Sequence, residues 1–285
     1  MLFLDFSQLT ISSVMEYFTR TKSQPGLELV RSIALSNILF HKKKLRLYYK
    51  TDQDIFLCID GRTYWRRGVF PEYKRNRLKA KQDSDFDWDD FFTVFNTLKE
   101  EFIENLPFHW IEMSGAEADD IIAVLVKHFC DPRMTNVIVS SDKDFIQLQS
   151  ICPTLKQFSS WHKKFITAET VGYDFFEHII KGDKGDGIPN IFSDDDSYMN
   201  PDKRCKTIRN SKIDQWRNLS PEEFCINEEV LKKYRRNIQL IDLQMIPKEI
   251  ETGILETLNK SKTSQTKFFD YLSTHRLTGI MERGF

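Results

Sequence analysis

An α/β fold on a mostly parallel (mixed) sheet is predicted by two features of the first half of the chain: short apolar runs alternate with segments of helical spacing, and several of those runs end in acids. The run LFLDF (2–6) reads as the first strand. In LELVRSIALSNILFHKKK, Leu29, Ile33, Leu35, Ile38 and Leu39 recur at helical spacing. DIFLCID (54–60) reads as a second strand. A helix is expected over about 87–106, then a strand in FHWIEM, a helix in EADDIIAVLVKHF and a strand in VIVSS. Strand–helix–strand order makes neighbouring strands parallel, because the chain must cross back over the sheet before it pairs again. Beyond about Tyr173 the pattern is mainly helical, broken by SDDDSYMNPDK (193–203), which reads as a mobile loop. The expected domains are an α/β unit over 1–172 and a helical unit over 173–285.

A chain of 285 residues can bury one large core and a smaller second one. With 29% charged residues and no apolar run near the ~20 that span a bilayer, membrane roles are set aside. MLFLDFSQLT has neither a basic region nor a small-residue cleavage site, so it reads as a strand and not as a secretory signal. Cysteines at 58, 130, 152, 205 and 225 form no C-x-x-C pair and suggest no disulfide framework, which fits a reducing, cytoplasmic compartment. The histidines form no H-x-H or H-x-x-x-H pair, so any metal is expected on oxygen ligands.

The net charge of −1 conceals a strongly basic stretch: 62–81, RTYWRRGVFPEYKRNRLKAK, holds eight Lys or Arg against the single acid Glu72. Tyr64, Trp65, Phe70 and Tyr73 are interleaved with them. Aromatic rings stack bases while cations follow phosphates, so this mixture suits a strand of nucleic acid, and Arg66 and Arg67 are candidate contacts. Gly68 and Pro71 argue for a loop or arch, about 62–90, that opens into a helix. The shorter run HKKKLRLYYK reads as a solvated face.

The acids collect at strand ends. Asp5 follows LFL, Asp60 follows IFLCI, and Asp142 and Asp144 follow VIVSS; in open α/β sheets that edge is where ligands bind. Glu117, Asp119 and Asp120 open a helix, and Asp183 and Asp186 lie in KGDKGDGIP. Each group has a structural alternative: Ser114 to Glu117 fits a capping box, and GDKGDG fits a turn. Nine carboxylates gathered together would raise one another's pKa unless cations neutralised them. Oxygen-only ligands suit Mg²⁺, with Mn²⁺ as a substitute, and two such ions ~3.5–4 Å apart can hydrolyse a phosphodiester. Acids of this kind in a chain with a basic, aromatic-rich arch are the composition of a metal-dependent nuclease.

The ordered series LDFSQ, CIDG, YWRR…YKRNR, EADDIIAVLV, SSDKDF, KGDKGDGIP and RRNIQLIDLQMIP resembles the flap endonuclease and 5′-exonuclease family, and most of all its phage ribonuclease H subgroup, from near residue 2 to about 250. The resemblance implies a mixed sheet with helices on both sides, a helical arch, a helical duplex-binding region and two Mg²⁺ ions. It implies removal of RNA primers from lagging-strand fragments and cleavage at flap junctions, acting as a monomer on RNA–DNA hybrid and on flapped or nicked duplex. A single-strand-binding protein or sliding clamp would be the partner, and a host cytoplasm the setting. By position, Asp5, Asp60, Glu117, Asp119, Asp120, Asp142 and Asp144 would form the tighter metal site, with Asp142 and Asp144 catalytic. Asp183 and Asp186 would hold the second metal. Lys74 would meet the scissile phosphate, Arg77 and Lys81 would guide the strand, and Tyr73 would stack a base.

The chain departs from the family at one place. After KGD the family carries Asn where this chain has Gly187, and the glycine hairpin that grips duplex phosphates is replaced by NIFSDDDSYMNPDKRCKT. Lys203, Arg204 and Lys206 are expected to supply that contact electrostatically, the alternative being a solvated loop. Two other functions fit less of the sequence: a PIN-type ribonuclease, which would need no arch, and a non-catalytic nucleic-acid clamp, which would not keep every acid.

Overall fold

The computed structural model describes residues 1–200, 202–261 and 267–277; Pro201, inside the polar break at 193–203, lies outside the described residues. The chain divides into two compact units. The first comprises 1–63, 85–166 and 248–285, and the second comprises 64–84 and 167–247.

The first unit is a six-stranded sheet in the order β3-β2-β1-β4-β5-β6. The strands are β1 (Leu2–Asp5), β2 (Ile55–Ile59), β3 (His109–Glu112), β4 (Val137–Val139), β5 (Lys156–Ser159) and β6 (Lys164–Ile166). All neighbours run parallel except β5 and β6, an antiparallel hairpin that makes the sheet mixed. β2 is apolar along its whole length, and β1 is apolar up to Asp5, because both faces are covered. On one face Leu2, Leu4, Ile55, Leu57, Val137 and Val139 pack against helices Phe6–Thr21, Leu27–Lys44 and Trp88–Asn105. The alternate residues Phe3 and Phe56 point the other way and meet Phe129, at the end of helix Ala118–His128, with ring centroids at 6.3 and 5.3 Å.

Two elements differ from the sequence expectation. Helix Phe6–Thr21 starts with no loop after β1, because Asp5 caps it. The β5–β6 hairpin is short and polar, and so carries little apolar alternation. The cysteines also need correction: Cys130 and Cys152 are joined by a disulfide. They are 22 residues apart, and one bridge between distant positions leaves no spacing pattern in a count of five. Among the described residues no helix is long and apolar enough to cross a membrane.

The second unit is helical. Arg66–Val69 and Arg75–Gln82 form the expected arch segment, a turn opening into a helix. Helices Phe175–Lys181, Asn210–Trp216 and Glu228–Ile241 build a core of Ile179, Ile180, Ile191, Trp216, Phe224 and Leu231. Asn237, fully buried, donates to the carbonyls of Ile179 and Pro189, both at 3.0 Å. A residue of RRNIQLIDLQMIP thereby ties the last residue of KGDKGDGIP to the helix that leads into the motif. The polar break is not an open loop: Asp194 and Asp196 take Lys203 at 3.3 and 2.8 Å, Asp195 takes Arg236, and Ser193 and Ser197 are buried. Its three acids are matched by nearby cations, which local composition alone does not reveal.

Candidate active site

Three acids converge where β2, β1 and β4 end, the central strand flanked by its two parallel neighbours. Asp5 Oδ1 accepts the Gln8 N–H at 3.0 Å and Oδ2 accepts Ser140 Oγ at 3.2 Å. Asp60 donates its N–H to Ser7 Oγ at 3.1 Å and accepts the Ala118 N–H at 2.9 Å, tying the end of β2 to the N-terminus of helix Ala118–His128. Asp142 donates its N–H to Ser140 Oγ at 3.1 Å, and its Oδ1 accepts the Asp144 N–H at 2.9 Å. Gln157, buried on β5, donates to the carbonyls of Ser140 and Asp142 at 3.1 and 2.5 Å and orders the same loop. Sequence reasoning passes over Ser7, Gln8, Ser140 and Gln157. Only the D-x-x-Q spacing of Asp5 and Gln8, a capping pattern, could have marked any of them.

Burial, then the charge of Asp60 and that of Asp142, push the Asp5 carboxyl up from 3.8 to about 7, against the hydrogen bonds from Gln8 and Ser140. Burial and Asp5 likewise push the Cys58 thiol well up, so it stays protonated and the anionic donors here are all carboxylates. That donor set fits a hard divalent cation. A prediction follows for the metal-free protein. A carboxyl whose pKa is raised by folding supports the fold below its unfolded value near 4 and loses that support as pH climbs through about 7. At pH 8 in EDTA, Asp5→Asn is therefore expected to raise the unfolding free energy, by at most roughly 4 kcal/mol. Mg²⁺ should raise the Tm of the parent far more than that of the variant. A variant less stable than its parent in EDTA at pH 8 would contradict this.

Glu117 and Asp120 are buried and cap each other: the Glu117 N–H donates to Asp120 Oδ2 at 3.0 Å, and the Glu117 carboxylate accepts the Asp120 N–H. Asp119 lies partly exposed in the same turn. The capping box expected at Ser114 is thus shifted to Glu117. Residues 113–116 form a turn, Ala116 N–H to the Met113 carbonyl at 3.2 Å, and the helix begins only at Ala118. Gly61, which follows Asp60, runs so close to this turn that a Cβ would lie 2.1 Å from the Met113 carbonyl oxygen. Backbone crowding explains the glycine of CIDG.

In the second unit Asp183 and Ile188 exchange backbone hydrogen bonds of 2.9 and 2.7 Å, closing the KGDKGDGIP turn. Asp183 Oδ1 accepts the Asp186 N–H at 2.9 Å, and Oδ2 meets Nε2 of buried His178 at 3.0 Å. His178 carries no sequence signal, since only the fold brings it to Asp183. Asp186 instead meets the arch: Tyr73 donates to Oδ2 at 2.8 Å, Arg77 pairs with Oδ1, and Lys74 Nζ lies 3.7 Å from Oδ2. The two acids of one motif therefore sit in different fields. Gly187 has φ +70, and a Cβ there would come within 2.9 Å of Asn76 Oδ1. Asn76 donates to the carbonyls of Lys184 and Gly185 at 2.8 and 3.3 Å, so its amide occupies the space beside this glycine.

Two arch residues are corrected. Arg66 is 3% exposed and its Nε donates to the Leu240 carbonyl at 2.9 Å, so it anchors the arch and does not present a cation outward. Tyr73 is 2% exposed, with its hydroxyl on Asp186, so its ring offers no face to a base. Both turn inward because the arch packs on a small core, Phe70 and Tyr73 against Ile188, Leu240 and Ile241 of the second unit. Arg67, Arg77, Lys203, Arg204 and Lys206 are exposed and Lys81 is partly so. Lys74 is largely buried.

Residues 16–175 match the 5′–3′ exonuclease N-terminal resolvase-like domain, and 170–283 match the T4 RNase H C-terminal domain. The chain is 32% identical to ribonuclease H of Enterobacteria phage T4 over 266 residues, 91% of this chain and 86% of that protein. It is 27% identical to flap endonuclease Xni of Shewanella sp. (strain MR-4) over 158 residues, 52% of this chain and about half (56%) of that one. A solved T5 5′-exonuclease with bound zinc shares the fold, with a TM-score of 0.63 at 18% identity over 91% of this chain and 98% of that one. The chain belongs to the 5′–3′ exonuclease and flap endonuclease family.

Proposed function

We propose that this nuclease uses a divalent metal, Mg²⁺ by preference, to hydrolyse phosphodiesters at the 5′ ends and flap junctions of nucleic acid, and that RNA primers on lagging-strand fragments are among its substrates. The observation that carries the reading is the trio Asp5, Asp60 and Asp142, delivered by adjacent strands, where burial and then the charges of Asp60 and Asp142 hold Asp5 near 7. Asp5, Asp60, Asp142 and Asp144 would hold the tighter ion, with Glu117, Asp119 and Asp120 beside them, and Asp183 would serve a second ion. A bound Mg²⁺ would supply the acidity that makes water a nucleophile at neutral pH and offset charge on the phosphodiester. The chain's own groups do the rest. The Gln8 N–H and Ser140 Oγ fix the Asp5 carboxyl by hydrogen bonds and Ser7 Oγ holds the Asp60 backbone N–H, so little reorganisation is needed when charge moves. Lys74, held over the rings of Tyr64 and Tyr73, would be the cation that stabilises phosphate charge.

The test is incubation of end-labelled nicked and flapped DNA and of an RNA–DNA hybrid with and without Mg²⁺. Short 5′ products that depend on Mg²⁺ are expected from all three. No Mg²⁺-dependent product from any would overturn the reading, and an intact hybrid beside a cut flap would remove the primer role alone. Duplex contact by the 203–206 segment gives a further expectation. Lys203 is already paired with Asp194 and Asp196, which leaves Arg204 and Lys206 for phosphates. Neutralising those two should lower the slope of log affinity against log salt by roughly 1.8, about 0.9 for each contact. An unchanged slope in a salt titration would assign the duplex contact to other residues.

A further inference from the structure

Cys130 and Cys152 bracket the acids that follow β4. The bridge between them, with Cα atoms 5.8 Å apart, closes a loop over a separation of 22 residues, and that loop holds β4, Asp142 and Asp144. Each sulfur stands at the far end of a helical run whose near end carries acids. Glu117 caps the start of helix Ala118–His128, Asp119 and Asp120 lie in its first turn, and Cys130 follows its last residue by two positions. Asp142 caps the turns Lys143–Gln147, helix Leu148–Ile151 continues them, and Cys152 ends that helix with its N–H on the Leu148 carbonyl at 2.9 Å. One covalent bond therefore joins the back ends of two acid-bearing runs.

The two cysteines are not equally protected. Cys152 is fully buried and Cys130 is half-buried. The neighbouring Asp131 is matched by Arg133 at 2.7 Å, so its charge does little to repel an incoming thiolate. Attack at Cys130 Sγ is the open route. A small dithiol reductant forms a mixed disulfide with Cys130 while Cys152 leaves as a thiolate and takes up a proton; the second thiol of the reductant then closes on the mixed disulfide and releases Cys130, which is protonated in turn. The protein disulfide gains two electrons and two protons, and the dithiol becomes a cyclic disulfide. Burial pushes the thiols of Cys58 and Cys225 up, so neither competes as a thiolate. Reduction leaves the run after Asp142 folded, because Phe145 and Leu148 are fully buried and the Leu155 N–H still binds the Cys152 carbonyl at 2.9 Å. What it removes is the tie between that run and the helix of Glu117, Asp119 and Asp120.

We propose that the Cys130–Cys152 bridge is a thiol–disulfide switch on the acid cluster, which holds its divalent cation tightly when bridged and weakly once a dithiol has reduced it. The switch rests on the nuclease reading above for its purpose and adds redox control to it. The test takes the whole chain in two forms, oxidised with glutathione disulfide and reduced with dithiothreitol that is then removed, each checked by alkylation and the masses of the Cys130 and Cys152 peptides. Mg²⁺ binding is followed by titration calorimetry, and cleavage of a labelled flap over a series of Mg²⁺ concentrations. Reduction is expected to weaken Mg²⁺ binding about tenfold, the low end of what loss of a group that orients metal ligands costs, and to raise the Mg²⁺ needed for half-maximal rate equally. Cys130→Ser, which leaves buried Cys152 in place, should match the reduced parent and ignore dithiothreitol. A bridge that only stabilises the fold would lower the Tm on reduction and leave Mg²⁺ binding unchanged, and that result overturns the switch. So does a dithiothreitol effect that persists in Cys130→Ser, or an oxidised parent that yields no linked Cys130–Cys152 peptide. A parent that cuts the flap in Mg²⁺ with the same Mg²⁺ requirement in both forms sinks the switch alone. A parent whose Mg²⁺ binding follows the bridge but which cuts nothing overturns the nuclease reading and leaves redox control of metal binding standing.

Discussion

Asp142→Asn and Asp60→Asn should each reduce Mg²⁺-dependent hydrolysis by at least about a thousandfold while leaving the fold intact, more than the 10–100-fold that follows loss of a group that only orients a ligand. The structure makes the amide a clean probe. Asp142 Oδ1 accepts the Asp144 N–H and Asp60 Oδ1 accepts the Ala118 N–H, and an asparagine carbonyl oxygen can accept the same bonds. The loop after β4 and the start of helix Ala118–His128 therefore keep their anchors. What is lost is one negative charge from a cluster in which burial, and then mutual repulsion, holds Asp5 near 7. That loss weakens the cation and relieves the metal-free protein at once. Ser140→Ala is the internal standard: Ser140 binds Asp5 at 3.2 Å and the Asp142 N–H at 3.1 Å without being an anion, so the 10–100-fold range is expected of it. Single-turnover rates at saturating enzyme, with circular dichroism as a check of fold, decide the matter. Either asparagine variant within tenfold of its parent would remove that acid from the metal site.

The part of the site that was legible in the sequence is the part written in strand periodicity. LFLD, IFLCID and VIVSSD are short apolar runs with acids at the same end, and parallel pairing turns that shared position into proximity. What could not be read is whatever depends on direction in space. Arg66 and Tyr73 belong to a stretch whose composition suits nucleic acid, yet both turn inward, and composition does not say which side of a four-residue helix faces Leu240. Lys203 looks free to bind phosphate until Asp194 and Asp196 close on it across a turn. His178 beside Asp183 and the Cys130–Cys152 bridge are likewise products of the fold. Helix Phe6–Thr21 was hidden for a local reason: Asp5 is at once the last residue of a strand and the cap of the next helix, so no turn residues mark the change.

Lys74→Ala should lower the rate of the bound complex by roughly 10²–10³-fold, the usual cost of removing one preorganised group aimed at transition-state charge (about 2.7–4 kcal/mol), with little change in affinity. Four contacts within the second unit preorganise this cation. Its backbone is left-handed, φ 56, and its N–H is bound by the Asp186 carbonyl at 2.8 Å, which fixes where the side chain departs. Its Nζ lies 5.6 and 5.2 Å from the ring centroids of Tyr64 and Tyr73. Asp186 Oδ2, at 3.7 Å, supplies a counter-charge to this largely buried side chain. The same acid binds Tyr73 and Arg77, so Asp186→Asn should loosen the arch and reproduce part of the Lys74→Ala defect even where Mg²⁺ is saturating. Arg77→Ala, which removes an exposed cation, should act mainly on binding. A merely structural Lys74 would give a different signature, a lower Tm with an unchanged single-turnover rate, because alanine leaves Asp186 without its ammonium partner. Rates and melting temperatures for Lys74→Ala and Lys74→Arg separate the two. A rate within threefold of the parent in both variants would place the catalytic cation elsewhere in the arch, with Arg77 the next to test.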